Sequence, residues 1–263
     1  MTNIERIKNE ILSVIFGGRD PEACQWSLVD VLAFSVLIAV FAFKDPFHLG
    51  AHIIRYLRLH FFIFTKEPKL LYYLSIYIGS IIFKCVSLVL LAALVKLRGI
   101  SFRRSVLSPG RVPPSWEVWL PLYIIACVVM RLVSIMNPLV PNIPFNSLFT
   151  EALVVGNAVT IFSVLLVAPF VEEVLFRGFL YPGLNRHLGI HPAVFITSLL
   201  FTLAHYPQIK EDIVFMAVIF ALSLMITYAK ARTGSTYLAI KMHFLYNLVS
   251  IGIGFVNYAI VRY

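Results

Sequence analysis

The stretch ALVVGNAVTIFSVLLVAPFVEEVLFR, Ala152 to Arg177, decides how this chain reads. Ala152–Val171 is free of Asp, Glu, Lys and Arg and is long enough to cross the roughly 30 Å hydrocarbon core of a bilayer as a helix. At its end stand two adjacent glutamates, Glu172 and Glu173, with Arg177 close behind. An ionisable group at membrane depth is costly and usually marks chemistry or transport, and here three fall within six residues.

The rest of the chain has the same character. Of 263 residues, 60% are hydrophobic and 13% charged, and the mean hydropathy is +0.87. Soluble domains are about half apolar and about a quarter charged, so the composition predicts an integral membrane protein. Apolar runs lie at Leu28–Phe43, Leu70–Val95, Trp116–Met136, Ala152–Val171, Val174–His187, Pro192–Tyr206, Ile213–Ala229 and Thr236–Val261. The expected fold is all-α, a polytopic transmembrane helical bundle of about eight helices, forming one membrane-embedded domain over residues 1–263.

The net charge of +9 does not point to nucleic acid, because the cations sit between the apolar runs. Lys96, Arg98, Arg103, Arg104 and Arg111 form a basic stretch, whereas Asn137–Glu151 has no Lys or Arg. By the positive-inside rule the first is expected in the cytoplasm and the second outside. Cys24, Cys85 and Cys127 are too scattered for a disulfide framework or a structural zinc site. Met1–Phe16 has no signal-peptide pattern, and its apolar residues fall at helical spacing, so residues 1–27 are expected to include a helix lying in the interface. Phe47–Phe64, with Arg55 and Arg58 on one face, reads the same way.

Three short patterns in the C-terminal half carry the chemistry: Glu172-Glu173-x-x-x-Arg177, Phe201-x-x-x-His205 and His243-x-x-x-Asn247. Residues i and i+4 share a helix face, so Glu173 can pair with Arg177, Phe201 can stack on His205, and His243 and Asn247 point together. Glu172, about 100° round the helix from Glu173, is left to face a cavity. If Leu188–Ile190 is a hairpin turn, Glu172 lies sixteen residues before it and His205 fifteen after it. Both then sit about 23 Å from the turn, at one level. His243, counted from a turn at Gly234, lies only about 13 Å along its helix.

These patterns, in this order on successive apolar segments, resemble the CPBP family of CAAX prenyl proteases and bacteriocin-processing enzymes, also called Abi proteins. Thr233-Gly234-Ser235 before the last helix is similar too, and the likeness covers about residues 152–250. The resemblance to the type II CAAX prenyl protease branch implies an intramembrane glutamate endopeptidase. It implies that Glu172 is the general base and holds the attacking water with His205, while His243 and Asn247 form the oxyanion hole. It further implies catalytic helices over 152–250, no cofactor, and a protein or peptide substrate, possibly prenylated, taken from membrane lipid towards the cytoplasmic half.

Plainer readings compete. Glu173–Arg177 reads first as a structural ion pair and Phe201 as pocket wall, both supporting the site. A single His in an apolar helix is ordinarily a hydrogen-bonded core residue. Lys84 and Arg131 inside other runs are expected first to snorkel, then to pair with a carboxylate of the bundle, and last to meet a substrate carboxylate. A zinc protease with Glu172, His205 and His243 as ligands, a bacteriocin or peptide-maturation protease, and a non-catalytic membrane scaffold are the alternatives. The first lacks an HExxH pattern.

Overall fold

The structure is a computed structural model and describes residues 26–43, 52, 55–56, 68–110, 123–130, 132, 158–206 and 213–262. Over these residues it is 90% helical, with eight helices and no strand. In chain order they are α1 (Leu28–Phe43), α2 (Pro68–Leu97), the short α3 (Phe102–Ser105), α4 (residues 123–130) and a long rod, α5, followed by α6 (Ile190–Ala204), α7 (Ile213–Thr233) and α8 (Thr236–Arg262). Tyr77–Leu97, Val159–Leu188 and Ile213–Thr233 are long and apolar enough to cross a membrane. Large apolar side chains such as Val89, Phe195, Leu203 and Ile213 are exposed around the bundle. Such a surface is costly in water and suits lipid.

The expected interfacial helix over 1–27 lies outside the described residues except for Trp26 and Ser27. Arg111, Arg131 and Asn137–Glu151 lie outside them too. Of Phe47–Phe64 only His52, Arg55 and Tyr56 are described, each helical and exposed.

One expectation about the helices changes. Ala152–Val171 and Val174–His187 read as two runs because two glutamates divide them, but their described parts form one rod. α5 passes through Ala158–Phe162, a π segment at Ser163–Val167, an α stretch at Ala168–Glu173, a second π segment at Val174–Leu180, and Tyr181–Leu188. The two π segments have an identifiable cause. Pro169 and Pro182 each stand just beyond one, and a proline within a helix offers no N–H and presses on the carbonyl four residues back. The turn before it widens instead of breaking. Gly189, at φ 79°, then reverses the chain into α6, as the hairpin count required.

The N-terminal half is tied to α5 and α8 at one end of the bundle. Ser27 and Asp30 cap α1 reciprocally: the Ser27 N–H donates to Asp30 Oδ2 at 3.0 Å, and the Asp30 N–H donates to Ser27 Oγ at 3.1 Å. Arg98, just beyond α2, bonds the other Asp30 oxygen, so α1 and α2 run antiparallel. Trp26 and Phe34 meet Phe179 of α5 edge-on, with centroids 4.7 and 4.9 Å away. The segment after α3 lies against α5 and α8 together. Thr236 donates its backbone N–H to Ser108 O and its hydroxyl to Val106 O, each at 2.8 Å.

Gly178 touches the same Val106, and a Cβ placed there would meet the Val106 carbonyl oxygen at 2.6 Å. The start of α8 is therefore level with Gly178, well before the Gly189 turn. This stagger of the two turns answers the depth mismatch of His243, because α8 begins closer to the glutamates than α6 does.

Candidate active site

Four helices converge on the paired glutamates: α2, α5, α6 and α8. Glu173 is fully buried, as is Arg177 one turn later, and Arg177 Nη1 donates to Glu173 Oε1 at 2.8 Å. This is the i,i+4 pair expected from the sequence. The guanidinium is satisfied on its other sides by α7. Its Nε donates to Thr227 Oγ1 at 3.1 Å, and its Nη2 to Ser223 Oγ at 2.6 Å and to Ser223 O at 3.2 Å. A buried charge survives only when paired and hydrogen-bonded in this way. Below it lies Phe201 of α6, whose ring centroid is 4.4 Å from the guanidinium carbon.

His243 on α8 reaches the same carboxylate. Its Nδ1 is 2.8 Å from Glu173 Oε1, so one oxygen holds both the arginine and the histidine. Oε2 of Glu173 is buried without a hydrogen-bond partner among the described residues. A carboxylate beside a guanidinium accepts, which assigns the hydrogen to Nδ1 of His243. Its Nε2 then carries a lone pair when the ring is neutral and a donor when it is protonated.

Glu172 faces a different set. Its Oε2 is 3.7 Å from His205 Nε2 and its Oε1 is 3.4 Å from Lys84 Nζ. His205 Nδ1 is 2.8 Å from the Phe201 carbonyl, which can only accept, so Nδ1 carries a hydrogen and Nε2 faces Glu172. The side chains of Glu172, His205 and Lys84 all keep some exposure, unlike Glu173 and Arg177. The hairpin level count thus brings Glu172 and His205 together as expected. Phe201 stands between the two histidines, 4.6 Å from His205 and 5.8 Å from His243, centroid to centroid.

Asn247, one turn after His243, donates from Nδ2 to Val164 O at 2.8 Å. Proline chemistry explains this bond. The N–H of Ala168, the α-helical partner of Val164 O, goes instead to Ser163 O. The π-helical partner would be residue 169, a proline with no N–H. The orphaned carbonyl takes its donor from Asn247, and the second amide hydrogen of Asn247 remains for another acceptor.

Sequence reasoning missed two parts of this arrangement and ranked a third below another reading. Ser223 and Thr227 had a legible signal, since two hydroxyls at i,i+4 in an apolar helix mark a polar stripe facing inward. Lys84 was expected first to snorkel and second to pair with a bundle carboxylate, and the second is what its contact with Glu172 shows. The bond from Asn247 to Val164 has no signal short of predicting the π segment. Among the described residues no three His, Cys, Asp or Glu side chains gather as a metal site would require. Beside the site, Leu165, Leu166, Pro169, Phe170, Ile240 and Phe244 line an apolar groove between α5 and α8, with Lys241 at its edge.

Comparison with known proteins agrees with this segment. Residues 154–249 match the family model described as Type II CAAX prenyl endopeptidase Rce1-like, and the match takes in Glu172, Glu173, Arg177, Phe201, His205, His243 and Asn247. No curated protein and no solved structure matches the chain.

Proposed function

We infer, from a chain that carries a domain of the Rce1-like type II CAAX prenyl endopeptidase family, that Glu172 and His205 activate a water for peptide-bond hydrolysis inside the membrane. The observation that carries the reading is the 3.7 Å between Glu172 Oε2 and His205 Nε2. That distance is too long for a direct hydrogen bond, so both groups keep hydrogen-bonding capacity for a water lying to one side of the line between them.

The chemistry follows from the groups. Glu172 takes a proton from the water as its oxygen attacks the scissile carbonyl, and the carbonyl π electrons move to oxygen. His243 and Asn247, on one face of α8, stabilise the oxyanion. Asn247 uses the amide hydrogen not given to Val164, and His243, held by Glu173 through Nδ1, donates from Nε2 when its ring carries both hydrogens. When the C–N bond breaks, Glu172 returns its proton to the leaving amine. The fixed positions of these donors before substrate arrives are what make such stabilisation effective.

The substrate best suited to the site is a prenylated protein C-terminus that loses its last three residues. The groove of Leu165, Leu166, Pro169, Phe170, Ile240 and Phe244 supports this, since it offers an isoprenoid chain an apolar bed one turn from the glutamates. Lys96, Arg98, Arg103, Arg104, Arg186 and Arg232 lie at the end where Gly178 meets Val106, which supports a site opening towards the cytoplasmic half. The test is an assay of tripeptide release from a prenylated peptide in detergent or liposomes, with an unprenylated control. No release from the prenylated peptide, beside an active reference enzyme, rejects this substrate. Stoichiometric zinc in the active purified chain would reject water activation by Glu172 and His205 alone.

A further inference from the structure

We propose that Lys84, on a helix outside the matched residues 154–249, is a positioning residue whose ammonium fixes Oε1 of Glu172 and so presents Oε2 to His205. The inference rests on the peptidase reading and adds a part that the family match does not contain.

Snorkelling does not explain this lysine. Lys84 is thirteen residues from the basic end of α2 at Leu97, about 20 Å along the axis and beyond the reach of a lysine stem. Its ammonium instead turns back one helical turn and donates to Ser80 Oγ at 2.7 Å. From that tether it stands 3.4 Å from Glu172 Oε1. The two oxygens of Glu172 therefore face different partners from different helices, Lys84 on α2 and His205 on α6. A free carboxylate would turn its plane about its last bond, whereas an ammonium held by Ser80 fixes that plane and keeps one oxygen directed at His205. The basic oxygen is then the one facing His205.

A neighbour that merely neutralised buried charge would leave turnover insensitive to its geometry. A positioning residue would not, because displacing a reacting group by about 1 Å can cost about 100-fold in rate.

The experiment uses the full chain in detergent with Lys84→Met, Lys84→Arg, Glu172→Gln and the double variant Lys84→Met/Glu172→Gln. Lys84→Met, close in size, is expected to lower kcat by about 100-fold with KM changed less than about threefold. Lys84→Arg keeps the charge but not the geometry of an ammonium tethered to Ser80, and is expected to recover only a small part of that loss. Full recovery would show that charge alone suffices and overturn the positioning role. The thermal-unfolding cycle of Lys84→Met, Glu172→Gln and the double variant is expected to be non-additive, and it reads the contact without any substrate. Additive shifts, or a Lys84→Met enzyme with normal kcat, overturn the proposal. A wild-type chain that is thermally coupled but cleaves no peptide sinks the peptidase reading and the positioning role with it, while leaving the ion pair in place.

Discussion

Glu173 Oε1 receives Arg177 Nη1 and His243 Nδ1 at the same distance, 2.8 Å, so a single buried oxygen joins α5 to α8. The neighbouring carboxylate, one residue earlier, meets a histidine only across a gap of 3.7 Å. Two adjacent glutamates thus have opposite surroundings: Glu173 is fully buried and paired through Oε1, whereas Glu172 keeps some exposure and is open to a further molecule. This contrast is what supports the proposal of a structural role for Glu173 and the chemistry for Glu172.

Glu172→Gln should abolish peptide turnover while the chain stays folded. The amide keeps the size and reach of the side chain but cannot take a proton from water. Kinetics with a cleavable peptide, together with size-exclusion behaviour and unfolding temperature, checks both halves. A Glu172→Gln protein with wild-type turnover removes the general base from this residue.

Glu173→Gln should lower the unfolding temperature and yield as well as activity. It leaves the Arg177 guanidinium, fully buried, without its counter-charge and weakens the anchor of His243. Breaking a buried pair by removing one partner typically costs about 3 to 5 kcal/mol. If Glu173→Gln is stable and dead while Glu172→Gln is active, the two glutamates exchange roles.

Much of this was legible in the sequence, for reasons that can be named. The match of level between Glu172 and His205 follows from helix rise and a turn at Gly189, both local properties. The Glu173–Arg177 pair follows from i,i+4 spacing. By contrast, an unbroken α5 was hidden, because the two glutamates divide the apolar run in sequence, and the π segments before Pro169 and Pro182 have no pattern of their own there. Lys84 was visible as an anomaly but its partner was not, since the contact depends on how α2 packs on α5.

Gly178→Ala should separate the loop after α3 from α5. The added methyl would lie 2.6 Å from Val106 O and 2.8 Å from Val106 Cγ1, and the first of these is backbone held by Thr236. Overpacking of this kind typically costs about 1 to 3 kcal/mol. The expected result is a lower unfolding temperature and faster proteolysis around Arg103 and Arg104, both exposed. Unchanged proteolysis and stability would mean that the contact at Val106 yields without cost.

Asn247→Ala should do two things at once, and a second substitution can pull them apart. Loss of a donor acting mainly in the transition state should lower kcat by about 100- to 1,000-fold with little change in KM. Loss of the bond to Val164 O should also cost stability, about 1 kcal/mol for a partly buried acceptor left unsatisfied. Pro169→Ala restores a backbone N–H where the π segment lacks one, so it should return stability to Asn247→Ala without returning kcat. Measurement of unfolding temperature, kcat and KM for both single variants and the double variant decides the matter, provided Pro169→Ala alone stays active. If turnover recovers along with stability, Asn247 is a pin for Val164 and takes no part in the oxyanion hole.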